Sequence, residues 1–390
     1  MNMTEILTLA IVYLPLVIFC SGYLSIAGIS LFYGRKYGSK PVAMIEPYLP
    51  LISVVVPTYN EEEIIASRLD SLFKTTYPKE KMEVIIVDSS TDRTPLIIDE
   101  YSKRYTIIKL IHDNERKGLA TALNKAFESC KGDIVVKMDS DLTLADNSLS
   151  KIISNFADPT IGAVTGKVNV ANQKASTEVR YRGLHETIQK AETYLDSIYM
   201  AHTFSAYRRH LMKAYKTHEY GDETIQTIHI RKQGYKVIYD PAVNFFEDYP
   251  DDNKELLRQK IRRSEGLIRI ILENVDLMFN RRYGKFGLYV YPSNFFMFIV
   301  SPILLLITLA TAIVDLAFFS LAAYFDILIL ALLGLTILGR KRPVFSSIWT
   351  FIELQFAQLR ALINVTMLRK RDYKWTKIAR EPSQVLKDAT

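Results

Sequence analysis

Apolar residues are spread unevenly along this chain: long unbroken runs lie toward both ends, and short runs recur through the middle. Residues 6–32 carry no charge and exceed the ~20 residues a helix needs to cross a bilayer. A cleaved leader would place basic residues before a shorter apolar core, whereas here Glu5 precedes the run and Arg35, Lys36 and Lys40 follow it. The positive-inside rule then puts the N-terminus outside and the next domain in the cytoplasm. Residues 294–311 and 316–338 predict a membrane hairpin that turns near Asp315, with Arg340-Lys341-Arg342 at its exit. Residues 344–367 are apolar but include Glu353, Gln355, Gln358 and Arg360, and a basic segment follows. That pattern predicts an amphipathic helix lying in the membrane interface.

Between these ends the pattern alternates as a βαβ series. Strands are predicted over 52–56, 84–87, 107–111 and 134–138, and helices over 61–73, 94–105 and 119–129. The implied fold class is α/β and doubly wound. The expected organisation is an anchor over 1–33, an α/β domain over 50–245, interfacial helices over 250–290, the hairpin over 294–338, and an interfacial helix with a basic tail over 344–390.

Composition adds little to this picture. The chain has 390 residues and a net charge of +7, without the clustered basic and aromatic patch of a nucleic-acid binder, so no nucleic-acid partner is expected. Cys20 lies in an apolar run, so a disulfide to Cys130 is not expected.

Candidate chemistry lies at the strand ends, where ligands bind in parallel sheets. Pro57-Thr58-Tyr59-Asn60-Glu61-Glu62 follows the first strand and opens a helix whose N-terminus attracts anions. No G-x-G-x-x-G is present, which disfavours a dinucleotide oxidoreductase. Asp88 ends the second strand and is placed to accept from a base or ribose, while Asp92 is placed to cap the helix after it. Asp139-Ser140-Asp141 follows the fourth strand. In an extended segment, two carboxylates one residue apart point the same way and suit Mg²⁺ or Mn²⁺ carrying phosphates. Asp222-Glu223 precedes a helix over 224–232, and either residue suits a helix start or a general base. Arg258-Gln259-Lys260-Ile261-Arg262-Arg263 suits anionic lipid or a diphosphate.

Taken in order, these segments resemble the membrane-anchored family 2 glycosyltransferases with the GT-A fold. That group holds dolichol-phosphate sugar transferases, ceramide glucosyltransferases, and cellulose and hyaluronan synthases. The resemblance runs over roughly residues 50–300. It includes Lys117-Gly118 with Ala122 and Asn124, Ala206-Tyr207-Arg208-Arg209, Gly221-Asp222-Glu223, Gly234-Tyr235-Lys236-Val237, Gln259-x-x-Arg262 and Gly266. It implies that Pro57, Thr58, Tyr59, Asn60, Glu62, Asp88 and Lys117 shape the nucleotide site. Asp139 and Asp141 would hold the metal, and Asp139 also the donor. Gln259, Arg262 and Arg263 would meet the diphosphate, and Tyr207 and Arg208 the acceptor side. Glu223 or Asp222 would be the base of an inverting transfer, with Glu223 at the usual position counted back from Gly234. The family's Q-x-x-R-W ends here in Arg263, which weakens a polymerase reading.

The N-out anchor with no targeting motif fits a prokaryotic plasma membrane, and the resemblance implies a metal-dependent transferase. It would move a sugar, UDP-linked by family habit, onto a lipid or lipid-linked acceptor at the cytoplasmic face, and its oligomeric state is open. The alternatives are a processive synthase of an extracellular polysaccharide and a non-catalytic nucleotide-sugar-binding scaffold.

Overall fold

The computed structural model describes residues 3–37, 48–171, 176–216, 223–247, 249, 252–317 and 343–368. Helix α1 (Met3–Tyr37) leads into the α/β region. There β1 (Ile52–Thr58), β2 (Met82–Asp88), β3 (Ile108–His112) and β4 (Ile134–Met138) lie parallel in the order β3-β2-β1-β4. Side chains alternate across the sheet. Val54, Val56, Val84 and Ile86 pack with Ile65 and Leu69 of α2 (Ile65–Lys74) and Ile98 of α3 (Thr94–Arg104). Val55, Ile85 and Val135 pack the other way, with Leu123 and Ala126 of α4 (Leu119–Ser129). Burial on both faces explains why these strands read as unbroken apolar runs. Helix α2 starts at Ile65 rather than at Glu61, because Asn60 takes a left-handed φ of 56° and the Glu61 carbonyl closes a turn onto the Ile64 and Ile65 amides.

The second half of the sheet is mixed, which the βαβ pattern does not anticipate. β5 (Thr143–Leu144) precedes α5 (Ser148–Ser154), and β6 (Ile161–Val170) precedes α6 (Ser176–Leu195). β7 (Phe204–Arg208) pairs antiparallel with both β4 and β6. After α7 (Glu223–Lys232), β8 (Lys236–Glu247) runs parallel to β6 and antiparallel to β5.

Helix α8 (Asn253–Glu273) leaves the sheet and leads to α9 (Tyr291–Phe295) and α10 (Ser301–Ala317). Two π-helical turns, Phe286–Val290 and Phe296–Val300, flank α9. Asp315, where the sequence predicts a turn, lies within α10, and the second hairpin arm at 318–338 is outside the described residues. Two described helical stretches, Tyr13–Lys36 and Phe286–Val314, are long and apolar enough to cross a membrane. They approach closely: a Cβ on Gly22 would come within 2.2 Å of the Phe296 ring. A polar clasp locks them to α11 (Pro343–Thr366). Tyr23 Oη lies 3.0 Å from Ser301 Oγ, Ser301 donates to Gln355 Oε1 at 2.9 Å, and Gln355 donates back to Tyr23 at 2.8 Å. In an apolar surrounding such bonds hold helices together, because the separated groups find no water.

The orientation of α11 differs from the expected amphipathic surface helix. Gln355, Gln358 and Asn364 are buried against neighbouring helices, whereas Ile348 and Phe356 are 43% and 49% exposed. Gln355, Glu353 and Asn364 meet protein partners, Asn364 donating to Glu265 at 2.6 Å.

One buried carboxyl ties α6 to the apolar helices. Glu192 accepts from Asn294 Nδ2 at 2.7 Å and from the Tyr199 amide at 3.1 Å. Burial, partly offset by those two bonds, pushes its pKa up to about 7. A folded-state value raised above the unfolded one means that the stabilising contribution is full at acidic pH and is lost as pH rises through about 7. Glu192→Gln keeps an acceptor for Asn294 and removes this titration. Thermal melts in detergent should show the wild type losing stability between the ordinary glutamate value of about 4.5 and about pH 7, with a smaller loss in the variant.

Candidate active site

The parallel strands end together, which builds one edge of the site. Thr58 stands opposite Asp88 in the β1–β2 register, so both loops leave the sheet side by side. Asp88 is fully buried. Its Oδ1 accepts from Thr58 Oγ1 at 2.7 Å and Ser90 Oγ at 2.5 Å, while Oδ2 meets the Ser90 amide at 3.1 Å and His112 Nδ1 at 3.0 Å. Asn60 joins the loops from above. Its amide donates to Ser90 Oγ at 2.7 Å and its Oδ1 accepts from the Thr91 amide at 2.8 Å, local bonding that lets asparagine hold a left-handed φ. Glu62 accepts from the Arg93 amide at 3.0 Å, and Asp92 from the Thr94 amide at 2.9 Å, where α3 begins. The Arg116 guanidinium lies 4.0 Å from the centre of the Tyr59 ring, within cation–π range. Lys117 is half exposed and 3.9 Å from Glu115. Pro57, Thr58, Tyr59, Asn60, Glu62 and Asp88 therefore share one edge, but the Asp88 carboxylate is already occupied by its own chain.

Asp139-Ser140-Asp141 is a turn and not the extended segment expected from sequence. The Leu142 amide closes it on the Asp139 carbonyl at 3.3 Å. Arg68 of α2 secures the strand that follows by donating to Thr143 Oγ1 at 2.8 Å. The i, i+2 alternation instead relates Asp139 to Lys137, two residues back. Lys137 is 2% exposed in a central strand, where an unpaired ammonium is very costly. Its Nζ lies 2.8 Å from Asp139 Oδ1 and also contacts Glu223 Oε1. Glu223 is the first residue of α7 and is itself buried. Two amide clasps position it. Gln226 exchanges bonds of 3.1 and 2.7 Å with the backbone of Lys213, and Asn124 of α4 exchanges two bonds of 2.8 Å with that of Tyr215. Asp222 lies outside the described residues.

Beyond Glu223 is a cavity of about 110 Å³. His202, Thr203, Glu247, Gln259 and Arg263 form its polar walls, and Met200, Leu256, Leu267, Phe298 and Leu354 its apolar ones. Arg263 Nη2 lies 3.0 Å from Glu247 Oε1, and Tyr249 donates to Glu247 Oε2 at 2.6 Å. Lys260 lies 3.4 Å from Glu353 of α11. His202 is buried and donates through Nε2–H to Gln189 Oε1 at 2.9 Å. Burial, reinforced by the charge of Arg182, holds its pKa well below the ordinary imidazole value, so the ring is neutral at physiological pH. The Thr203 hydroxyl faces this region buried, with no hydrogen-bond partner among the described residues.

Of the sequence candidates, Glu223, Gln259 and Arg263 meet at the cavity, and Arg262 on the same helix does not line it. Tyr207 and Arg208 are not brought to the site. β7 runs antiparallel to β4, so Arg208 pairs with Ile134, roughly 13 Å along the strand from Met138. Tyr207 is buried among Ala163, Ile198 and Val237, and Arg208 donates to the carbonyls of Phe156, Asp158 and Ile161. Sequence reasoning missed Lys137, His202, Thr203 and Glu247. Lys137 alone left a signal, as a charge inside a strand that otherwise reads as buried.

Comparison with known proteins agrees with this geometry. Residues 53–216 match the family described as Glycosyl transferase family 2. The chain is 28% identical over 273 residues to the probable glycosyltransferase YdaM of Bacillus subtilis, covering 66% of this chain and 65% of that protein. It is 31% identical over 170 residues to the beta-monoglucosyldiacylglycerol synthase of Synechocystis, covering 42% of this chain and 35% of that one. The matched segments thus span under two thirds of these curated relatives. In three dimensions the chain resembles the mannosyltransferase PcManGT from Pyrobaculum calidifontis, solved with GDP-Man and Mn²⁺. The TM-score is 0.73 at 25% identity, over 91% of this chain and 99% of that one. The fold is a GT-A-like α/β domain.

Arg208→Met leaves three carbonyls without their donor, a loss on the order of 2–3 kcal/mol. Its melting temperature should fall, while binding of a nucleoside diphosphate, measured by calorimetry, should be unchanged.

Proposed function

We propose that this chain, whose residues 53–216 match glycosyl transferase family 2, belongs to that family and moves one sugar from a nucleoside-diphosphate sugar to a hydroxyl of a lipid or lipid-linked acceptor at the cytoplasmic membrane face. The observation that carries this reading is the position of Glu223. It stands between the acidic turn at the end of β4 and a cavity walled by the helices that continue into the apolar segments. A carboxylate there can serve a donor on one side and a lipid headgroup on the other.

Asp139 and Asp141 are the residues that would hold Mn²⁺ or Mg²⁺. The turn offers only oxygen donors, and the Asp139 side chain is 30% exposed. Among the described residues no group of three or more acidic, histidine or cysteine side chains gathers to form an all-protein metal cage. That suits a cation that takes one or two carboxylates and completes its shell with substrate phosphates and water. When bound, such an ion offsets charge on the departing diphosphate.

The chain's own residues account for the rest. The stitched loops at Thr58–Glu62 and Asp88–Asp92 form the nucleotide cradle, with Asp88 bracing it from beneath and Lys117 at its rim. Gln259 and Arg263 approach the diphosphate from α8, with Arg262 beside them. Glu223 takes the acceptor hydroxyl proton as the new C–O bond forms at the anomeric carbon. The sugar–phosphate bond breaks and its electron pair leaves on the diphosphate, with inversion at that carbon. Asp222 is the alternative base. Arg263 stands where the related polymerases carry tryptophan, and it pairs with Glu247 instead.

Detergent-purified protein incubated with Mn²⁺, UDP- and GDP-sugars and a membrane lipid extract should yield a lipid heavier by one sugar, read by mass spectrometry. A ladder of additions would establish a processive synthase instead. Asp141→Asn should abolish turnover with the melting temperature preserved, and Glu223→Gln should lower turnover about 10²- to 10⁴-fold. Full activity in either folded variant would overturn the assignment of that residue.

A further inference from the structure

Lys137 has no place in the scheme above, yet it touches both halves of it. Its Nζ lies 2.8 Å from Asp139 Oδ1 and in contact with Glu223 Oε1. Its strand neighbours are Val55 and Ser205, and an uncharged side chain would satisfy that packing. A buried ammonium persists only where anions balance it, and here the two anions are the proposed metal ligand and the proposed base. Both carboxylates lean on one cation, so each draws on the charge the other needs. The Asp139 oxygen held by Lys137 is also one that a divalent cation would take, and ammonium and cation repel each other at that spacing.

We propose that Lys137 is a positioning residue that couples the donor side of the site to its base. In the donor-free protein Lys137 bridges Asp139 and Glu223 and keeps Asp139 from binding a cation at full strength. Once Asp139 is taken by a cation, Lys137 is held by Glu223 alone, and the carboxylate is fixed at the cavity edge. Glu223, already in contact with Lys137 in the donor-free protein, is thereby held more firmly for the acceptor once the donor side is charged. This inference rests on the proposed function, since it needs Asp139 to be a cation ligand.

The test is Mn²⁺ binding to the full-length detergent-purified protein, with the metal alone, read from the electron paramagnetic resonance signal of free Mn²⁺. Lys137→Met removes the competitor, so Mn²⁺ should bind tighter, on the order of five-fold or more, while turnover falls. A purely structural lysine would weaken both together. Lys137→Arg, which keeps the cation, should restore Mn²⁺ affinity toward wild type and recover part of the turnover. Glu223→Gln leaves Lys137 to Asp139 alone, so Mn²⁺ should bind more weakly than in wild type. That variant decides the matter if Lys137→Met does not fold. Unchanged or weaker Mn²⁺ binding in folded Lys137→Met, or unchanged or tighter binding in Glu223→Gln, overturns the proposal. Absence of Mn²⁺ binding in wild type, or binding insensitive to Asp141→Asn, instead overturns the metal assignment on which it rests.

Discussion

A buried ammonium group in the central strand constrains the whole site. Lys137 lies at a position flanked by β1 and β7, where water cannot reach it. The fold tolerates it only if carboxylates arrive from two directions. One comes from the next turn of its own chain at Asp139, the other from the start of α7 at Glu223, 86 residues away in sequence. The clasps made by Gln226 and Asn124 therefore do more than tidy a loop. They deliver the anion that makes a charged central strand compatible with folding, and the same delivery sets the carboxylate at the cavity.

The opposite edge works by saturation. Asp88 receives four donors from Thr58, Ser90 and His112, and Asn60 and Glu62 tie the two loops together. Loops bonded to each other in this way lose little freedom when a ligand enters, so their geometry is available before binding. The contrast with the acidic turn is physical. Asp88 has its bonding capacity filled by several donors of its own chain, whereas Asp139 keeps an exposed part and shares a single cation.

The apolar helices are joined to this domain by polar contacts that only burial makes strong. Glu192 with Asn294, and Tyr23 with Ser301 and Gln355, link α6, α1, the helical run through α10, and α11. Such groups have no water to return to when the helices part. Helix α11 follows the same logic, with Gln355, Gln358 and Asn364 turned toward protein. The cavity beyond Glu223 lies where α8, the second π-helical turn and α11 meet the sheet, so the candidate site and the apolar helices share one wall.

Local periodicity was enough to place β1 to β4 and helices α3 and α4 to within about two residues, because strands buried on both faces and amphipathic helices imprint their period on the chain. The acidic residues at strand ends were legible for the same reason, since a strand's end is a local property. What the sequence could not determine was which distant groups come together. The antiparallel entry of β7 beside β4 carries Arg208 to the far end of the sheet and reduces it to holding carbonyls. The inward turn of the α11 glutamines, and the meeting of Lys137 with Glu223, are likewise absent from any local pattern. These depend on long-range pairing, in which a buried polar group selects its partner by the cost of having none. The sequence determined the strands, the helices and the supply of carboxylates, and the tertiary structure decided which of those carboxylates share a cation.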